Sequence, residues 1–237
     1  MRQKKSLKIF LFRITLFFFL LIFIFILIYL INLSLEIKKI EVVGKTYENL
    51  TGLAELNMQN LLFLKTATVG KKLVQQNPQI EKVTIQKNYP NKITIYVQTY
   101  QPIADLQTSP GFFVLGNDGR IIAKIKKNPP ALPLIHYYQQ FYYYQNNAGD
   151  YISYPDLKAA IFFLNKLNTL NVRVDTIDIQ DIDMLVFNLN SKKIIFTSIA
   201  DLNREAYDLE TIITRFKMEA VDFKTLDLRF DKPVVQF

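Results

Sequence analysis

The sequence predicts an α+β protein with a single N-terminal transmembrane helix. Residues 14–35 form a long apolar run without a charged side chain. Residues 36–106 then combine helical spacing of apolar residues with strands that alternate between apolar and polar side chains, and residues 107–237 add further strands and two helices. Because strands and helices do not alternate one by one, we expect sheets with helices packed on them.

The composition limits the classes of function. With 237 residues, half of them hydrophobic, the chain can bury one large core or two small ones beside a membrane segment. Its formal charge of +8 includes five basic residues in the tail 1–13, and the other 24 of the 29 basic residues are balanced by 21 acidic ones. Such a mixed surface does not indicate nucleic-acid binding. The absence of cysteine excludes disulfides and thiol catalysis.

The apolar run is predicted to be a membrane anchor. At about 1.5 Å per residue, residues 14–35 are long enough to cross a bilayer core of roughly 30 Å. A cleavable signal would be shorter and would end in small residues, whereas this run continues with large apolar ones. The tail 1–13 is basic, and the four charges within residues 36–41 nearly cancel. We therefore expect a single-pass protein that contacts the lipid bilayer through residues 14–35 and exports its C-terminal part.

The residues after the anchor predict one strand and two helices. Ile40 and Val42 alternate with charged residues, as in a strand with one dry face. Leucines at helical spacing follow in TYENLTGLAELN, where Thr46 is a candidate N-cap and Gly52 weakens the pattern. A second helix is predicted in TATVGKKLVQQNP, where it ends at Asn77-Pro78.

A β-hairpin completes this first module. Residues 80–87 and 92–99 alternate between apolar and polar side chains, and a turn is predicted at residues 88–91. Ile95 is expected on the dry face of the sheet and Thr94 on the wet face. The order strand, helix, helix, strand, strand requires both helices to cover the dry face.

The second module is predicted to hold more strands and two helices. Asp118-Gly119 lies between two apolar stretches, as in a hairpin turn. Residues 155–170 and 201–220 carry apolar stripes at helical spacing, the first with Pro155 in its opening turn. The remaining stretches alternate as strands do: VRVDTIDI, DMLVFNLN, KIIFTS and FKTLDLRFDKPVVQF.

No catalytic constellation is predicted. His136 is the sole histidine, and an ordinary surface histidine is a simpler interpretation than a metal ligand or a triad member. The stretch DTIDIQDIDM concentrates aspartates but lacks the glycine and distal glutamate of a calcium loop, so solvation at strand ends is the simpler interpretation. Motifs for nucleotide cradles and serine nucleophiles are missing. We therefore expect no enzyme, no cofactor and no small-molecule substrate.

The aromatic tract HYYQQFYYYQNN, residues 136–147, has two interpretations. Neither lysine nor arginine occurs from Asn128 to Leu157, although stacking on nucleic acid would require interleaved cations. A surface loop or a partly packed insertion is favoured, and an interaction patch is the alternative.

Several motifs together resemble a known family. Pro78 opens the hairpin of the first module, Pro90 lies in its turn, and Pro102-Ile103-Ala104 follows it. In the second module, GFFVLGNDGRIIAKI, PPALPLI and Asp227-Leu228-Arg229 occur in order. In this arrangement, residues 36–237 resemble the FtsQ and DivIB cell-division proteins, with a POTRA (polypeptide-transport-associated) domain and a C-terminal β domain. The stretch TSIADLNREAYDLE lacks the family's usual Leu-Gly, and the aromatic tract has no matching passage.

The resemblance implies four segments: a cytoplasmic basic tail (1–13), a transmembrane helix (14–35), a POTRA domain (36–106) and an FtsQ-type β domain (107–237). It further implies a non-enzymatic scaffold of the bacterial divisome. Such a protein lies in the cell inner (plasma) membrane as a single-pass type II protein, with its C-terminal domain extracytoplasmic, and it is enriched at the division septum. Its POTRA domain helps recruitment, and its β domain binds FtsB-like and FtsL-like division proteins.

By the same resemblance, partner contacts are expected near the C-terminus, at Phe230, Val234, Val235 and Phe237. The alternative is that these residues close the β domain, because Leu226, Leu228 and Phe230 alternate with charged residues as on the packed face of a strand. Two other functions stay open: a POTRA-bearing transport or adhesion scaffold outside division, and, less favoured, an anchored envelope enzyme.

Overall fold

Two compact units make up the structure, a computed structural model that describes residues 2–44, 50–127 and 132–237, with side chains from residue 16 onward. One unit comprises Met1–Asn77 and Lys82–Gln98, and the other comprises Pro78–Glu81 and Thr99–Phe237. The mixed α+β class predicted from the sequence is confirmed.

Helix α1, Arg2–Ser34, contains the predicted membrane anchor. Its segment Leu16–Ser34 has a mean hydropathy of 3.0 and no buried residue. Within the part of the chain that the structure describes, this is the one helix that is long and apolar enough to cross a bilayer. An exposed apolar helix of this length is consistent with a single-pass anchor.

The first unit contains a three-stranded sheet. Its strands are β1 (Lys39–Val43), β2 (Ile80–Asn88) and β3 (Lys92–Thr99), in the order β1-β3-β2, with β1 parallel to β3. Helix α2 (Thr66–Gln76) buries Leu73, and Ile93 and Ile95 on the central strand have no exposed surface. The predicted hairpin and its dry face are thereby confirmed.

The first of the two predicted helices is much shorter than expected. The described part of TYENLTGLAELN forms only a 3₁₀ helix, Ala54–Leu56, and the candidate cap Thr46 lies outside the described residues. Gly52 has a φ of +97°, a left-handed conformation that an α-helix cannot contain. The Asn77 side chain holds this segment instead: it accepts from Thr51 N at 3.0 Å and donates to Thr51 O at 3.1 Å.

The expectation that Thr94 lies on a wet face is wrong. Thr94 points away from Ile93 and Ile95, yet it is only 5% exposed. Asn88 Nδ2 donates to Thr94 Oγ1 at 2.8 Å, and the register places Glu41 of β1 directly beside it. Because β3 is the central strand, polar side chains from both neighbouring strands cover this position.

In the part of the chain that the structure describes, the second unit is a nine-stranded sheet with two helices. Its order is β12-β11-β10-β9-β8-β7-β4-β5-β6. Helices α3 (Pro155–Thr169) and α4 (Leu202–Glu219) both bury residues in one continuous core, in which Leu164 and Leu209 have no exposed surface. The strands are β4 (Pro102–Gln107), β5 (Phe112–Gly116), β6 (Ile121–Ile125), β7 (Leu134–Tyr137), β8 (Thr176–Asp181), β9 (Met184–Leu189), β10 (Lys192–Phe196), β11 (Thr225–Asp227) and β12 (Val234–Gln236).

All but the last residue of strand β4 lies inside the segment 36–106 that the sequence assigns to the POTRA domain. In the structure it pairs with β5 on one side and β7 on the other, and residues from Thr99 onward belong to the second compact unit. These pairings join segments up to about thirty residues apart, so the local pattern around Pro102 does not reveal them. The four-segment division of the chain stays a prediction.

The aromatic tract is partly packed against the core of the second unit. It begins in β7, and its Phe141 is only 6% exposed. Tyr143 stacks on the buried Phe113 with ring centroids 5.3 Å apart, and Lys124 Nζ donates to the Tyr143 carbonyl at 2.6 Å. Tyr144, by contrast, is 80% exposed. Alternate rings therefore enlarge the core of the second unit.

Candidate partner-binding edge

Strand β12 is the last strand of the nine-stranded sheet. It pairs antiparallel with β11, with Val235 opposite Leu226 and Val234 opposite Asp227. Within the described residues, no strand follows β12 in the sheet order. Such an edge presents backbone donors and acceptors on which another chain can add a strand.

Within β12, the backbone groups that point away from β11 are those of Val235. Gln236 directs its carbonyl toward β11, where it accepts from Lys224 N at 2.8 Å. Because neighbouring residues of a strand point their backbone groups in opposite directions, the amide and carbonyl of Val235 point away from β11. An incoming strand would therefore pair with Val235.

The side chains of β12 divide between the two faces of the sheet. Val235 lies across from Leu226, which has no exposed surface, and packs against the core on the helix side. Val234 lies across from Asp227 on the opposite face and is 48% exposed. Phe237 follows on the helix side, where its ring lies 6.3 Å from that of Phe216 in α4. Val235 thus anchors the strand, and Val234 and Phe237 present apolar surface.

Phe230 lies outside the strands, in the turn between β11 and β12. The alternation of apolar and charged residues predicted that Phe230 would be buried like Leu226 and Leu228. The buried positions end at Leu228, which is 1% exposed, whereas Phe230 is 53% exposed. Strand β11 stops at Asp227, so the two-residue period no longer determines where later side chains point. The Arg229 guanidinium lies 5.5 Å from the centre of the Phe230 ring, within the range of a cation–π contact.

Two ion pairs hold this turn in place. Arg229 Nε and Nη2 donate to the two oxygens of Asp227 at 3.0 and 2.8 Å, and this hydrogen bonding raises the pKa of Arg229. Arg204, in the first turn of α4, donates to Asp231 at 2.6 Å. The contact of Arg204 joins residues 27 positions apart, and no local sequence signal indicates it.

The start of helix α4 is set by Asp201. Its carboxylate accepts from Asn203 N at 2.9 Å and from Arg204 N at 3.4 Å, as an N-cap does. The cap places Arg204 beside the turn and Glu205 in the core. Glu205 has no exposed surface and accepts from Thr197 N at 3.2 Å, and burial raises its pKa to about 7.

A cavity of about 390 Å³ lies on the helix side, close to Phe216. Apolar groups from α4 and the segment after it form much of its wall, including Ile213, Val221 and Phe223, and Lys192 and Lys217 supply cations. Because Phe216 also contacts Phe237, this cavity adjoins the edge strand β12. It is large enough to accept an apolar side chain of a partner segment that pairs with β12.

The polar residues singled out in the sequence lie elsewhere on the sheet. His136 Nδ1 and Asp178 Oδ1 are 2.7 Å apart on the neighbouring strands β7 and β8, and Asn188 Nδ2 donates to the other Asp178 oxygen at 2.6 Å. These are cross-strand contacts on the face away from the helices. In the described ranges, no group of three or more histidine, cysteine, aspartate or glutamate side chains is arranged to hold a metal ion.

Comparison with known proteins identifies two similarities. Residues 35–100 match the FtsQ-type POTRA domain family. The chain is also 26% identical over 151 residues to the cell division protein DivIB of Clostridium acetobutylicum, an alignment that covers 62% of this chain. The aligned region spans 59% of the length of that relative.

Proposed function

Because the chain belongs to the FtsQ/DivIB family of bacterial cell-division proteins, we propose that it is a non-enzymatic scaffold of the divisome. It links division proteins through extracytoplasmic docking surfaces during septation. The tail 1–13 lies in the cytoplasm, α1 crosses the inner (plasma) membrane once, and both folded units lie outside the cytoplasm, enriched at the septum. The basic tail and the apolar α1 support this type II topology.

The edge strand β12 is the docking site for an FtsB-like partner, with an FtsL-like protein in the same assembly. The observation that carries this proposal is the place of β12 at the end of the nine-stranded sheet formed by the described residues, where the Val235 backbone points away from β11. Val234 and Phe237 adjoin Val235 along the chain and Phe230 lies in the preceding turn, and the exposed side chains of all three offer apolar surface. A strand added here, with flanking side-chain contacts, can reach the roughly 800 Å² per partner of a stable interface.

A single substitution separates backbone pairing from side-chain packing. Val235→Pro removes the outward amide hydrogen, which an edge strand tolerates because that group is not used within the sheet. We expect it to weaken binding of the FtsB-like extracytoplasmic segment on the order of tenfold or more, because a backbone hydrogen bond is lost and the ring obstructs pairing. Titration against the full-length protein in nanodiscs measures this affinity.

Val235→Ala is the matched control, because it shortens the same side chain and keeps the amide. We expect it to change the affinity by less than about threefold, because Val235 points toward its own core rather than toward the partner. Equal affinities for the proline and alanine variants, with unchanged thermal melts, would place the partner on another surface.

A further inference from the structure

The loop Asn57–Leu64 of the first unit carries exposed apolar side chains. Its sequence, NMQNLLFL, contains no charged residue. Leu61 and Leu64 are buried and anchor the loop, but Met58 is 83% exposed, Leu62 54% and Phe63 73%. Exposed apolar side chains grouped in one loop indicate a contact surface.

This loop is hydrogen-bonded to the C-terminal end of α1. Leu61 N donates to Leu35 O at 2.8 Å, and Ile37 N donates to Gln59 O at 2.9 Å. Asn60 Nδ2 also donates to Asn32 Oδ1 at 2.7 Å, and Asn32 lies in the last turn of α1. These hydrogen bonds therefore hold Leu62 and Phe63 close to the point where the apolar helix ends.

The turn between β2 and β3 lies at the same end of the unit. Lys38 N and Lys39 N donate to Asn91 O at 2.9 and 3.2 Å, which ties the turn to the chain leaving α1. Tyr89 in this turn is 58% exposed, and Lys87 Nζ donates to Leu62 O at 3.2 Å. Aromatic rings and lysines are typical of the level at which lipid headgroups meet water.

We propose that the loop Asn57–Leu64 contacts the lipid bilayer, with Leu62 and Phe63 entering the headgroup region on the side where α1 ends. This inference rests on the proposed anchoring of α1 in the membrane. Lipid is the expected occupant because the loop itself contains no charged residue and is hydrogen-bonded to the last turn of the membrane helix. The Leu61 and Leu62 amides are already hydrogen-bonded within the protein, so insertion does not leave them without partners. The contact would hold the first unit against the membrane.

The chain contains no tryptophan, so a single substitution introduces one fluorophore. Phe63→Trp in the full chain is reconstituted into vesicles that contain phosphatidylcholine brominated close to the headgroup. Tyr96→Trp is the matched control, because Tyr96 is exposed and lies four residues along β3 from Lys92, about 13 Å away. We expect Phe63→Trp to be quenched at least about threefold more strongly than Tyr96→Trp, because tryptophan settles at the headgroup level.

Phe25→Trp within α1, with lipid brominated deeper in the chains, tests the anchor itself. If Phe25→Trp is quenched and Phe63→Trp is quenched no more than Tyr96→Trp, the loop faces water or protein, and the inference is overturned while the proposed anchor stands. If Phe25→Trp is not quenched either, α1 does not span the bilayer, and the membrane-anchored function fails together with the loop contact.

Discussion

Glu205 and Asp105 carry carboxyl groups that folding buries away from water, where the charged form is disfavoured. Neither has exposed surface. Glu205 Oε1 and both carboxyl oxygens of Asp105 have no hydrogen-bond partner among the described residues. Burial raises the pKa of Glu205 to about 7 and that of Asp105 to about 6. Both groups therefore favour the protonated form in the folded state, because the charged form cannot be solvated there.

We predict that the folded state loses stability as pH rises from about 4 to about 7. The pKa of each group is higher in the folded state than in the unfolded chain. The contribution of each group to the free energy of unfolding is therefore fully present below its unfolded pKa, and it is lost as the pH rises through its folded pKa. For Glu205 this contribution is on the order of 3 kcal/mol, because one pKa unit corresponds to about 1.4 kcal/mol. Thermal melts across this pH range should show a smaller slope for Glu205→Gln than for the wild type. An unchanged slope would mean that Glu205 is ionised throughout.

The central strand β3 contributes buried side chains to both faces of the sheet in the first unit. Its Ile93 and Ile95 face the helix side without exposed surface, and its Thr94 is buried under polar neighbours on the other face. Farther along the strand, Tyr96 is 44% exposed. The solvated face of this sheet therefore begins at Tyr96 rather than at Thr94, because the covering side chains of Asn88 and Glu41 lie near the hairpin turn.

We predict that Ile95→Asp destabilises the first unit by on the order of 3 kcal/mol or more, because its charge is buried without a partner. Tyr96→Asp, one residue along the same strand, should change the free energy of unfolding by less than about 1 kcal/mol. Denaturant titration of both variants measures the difference. Greater damage from Tyr96→Asp would contradict the observed register.

At the scale of the whole molecule, the described residues form two compact units and include one helix apolar enough to cross a bilayer, and the basic tail favours the proposed topology. We predict that a reporter active only outside the cytoplasm, fused after Phe237, is active in cells. The reason is that the positive charges of residues 1–13 remain on the cytoplasmic side. Activity of a reporter that works only in the cytoplasm, fused at the same position, would reverse the proposed topology.

The C-terminal edge is also tested best by substitutions that leave the rest of the molecule intact. Deleting Val234–Phe237 would remove Val235 from the core and Phe237 from its contact with Phe216. A loss of binding would then not distinguish a lost contact from lost structure. The proline and alanine pair at Val235 avoids this difficulty, because both variants keep the remaining side chains of the edge.

Local sequence determined the apolar helix α1, the hairpin of the first unit, and helices α2, α3 and α4. Each of these depends on a period or a run of side chains within about twenty residues, which propensity and hydrophobic spacing reveal directly. Only the tertiary structure decided that β12 is an edge, that Val235 faces the core while Val234 faces away, and that Phe230 is exposed. These features depend on which distant strands pair, and a one-residue shift in pairing would reverse every assignment of a face.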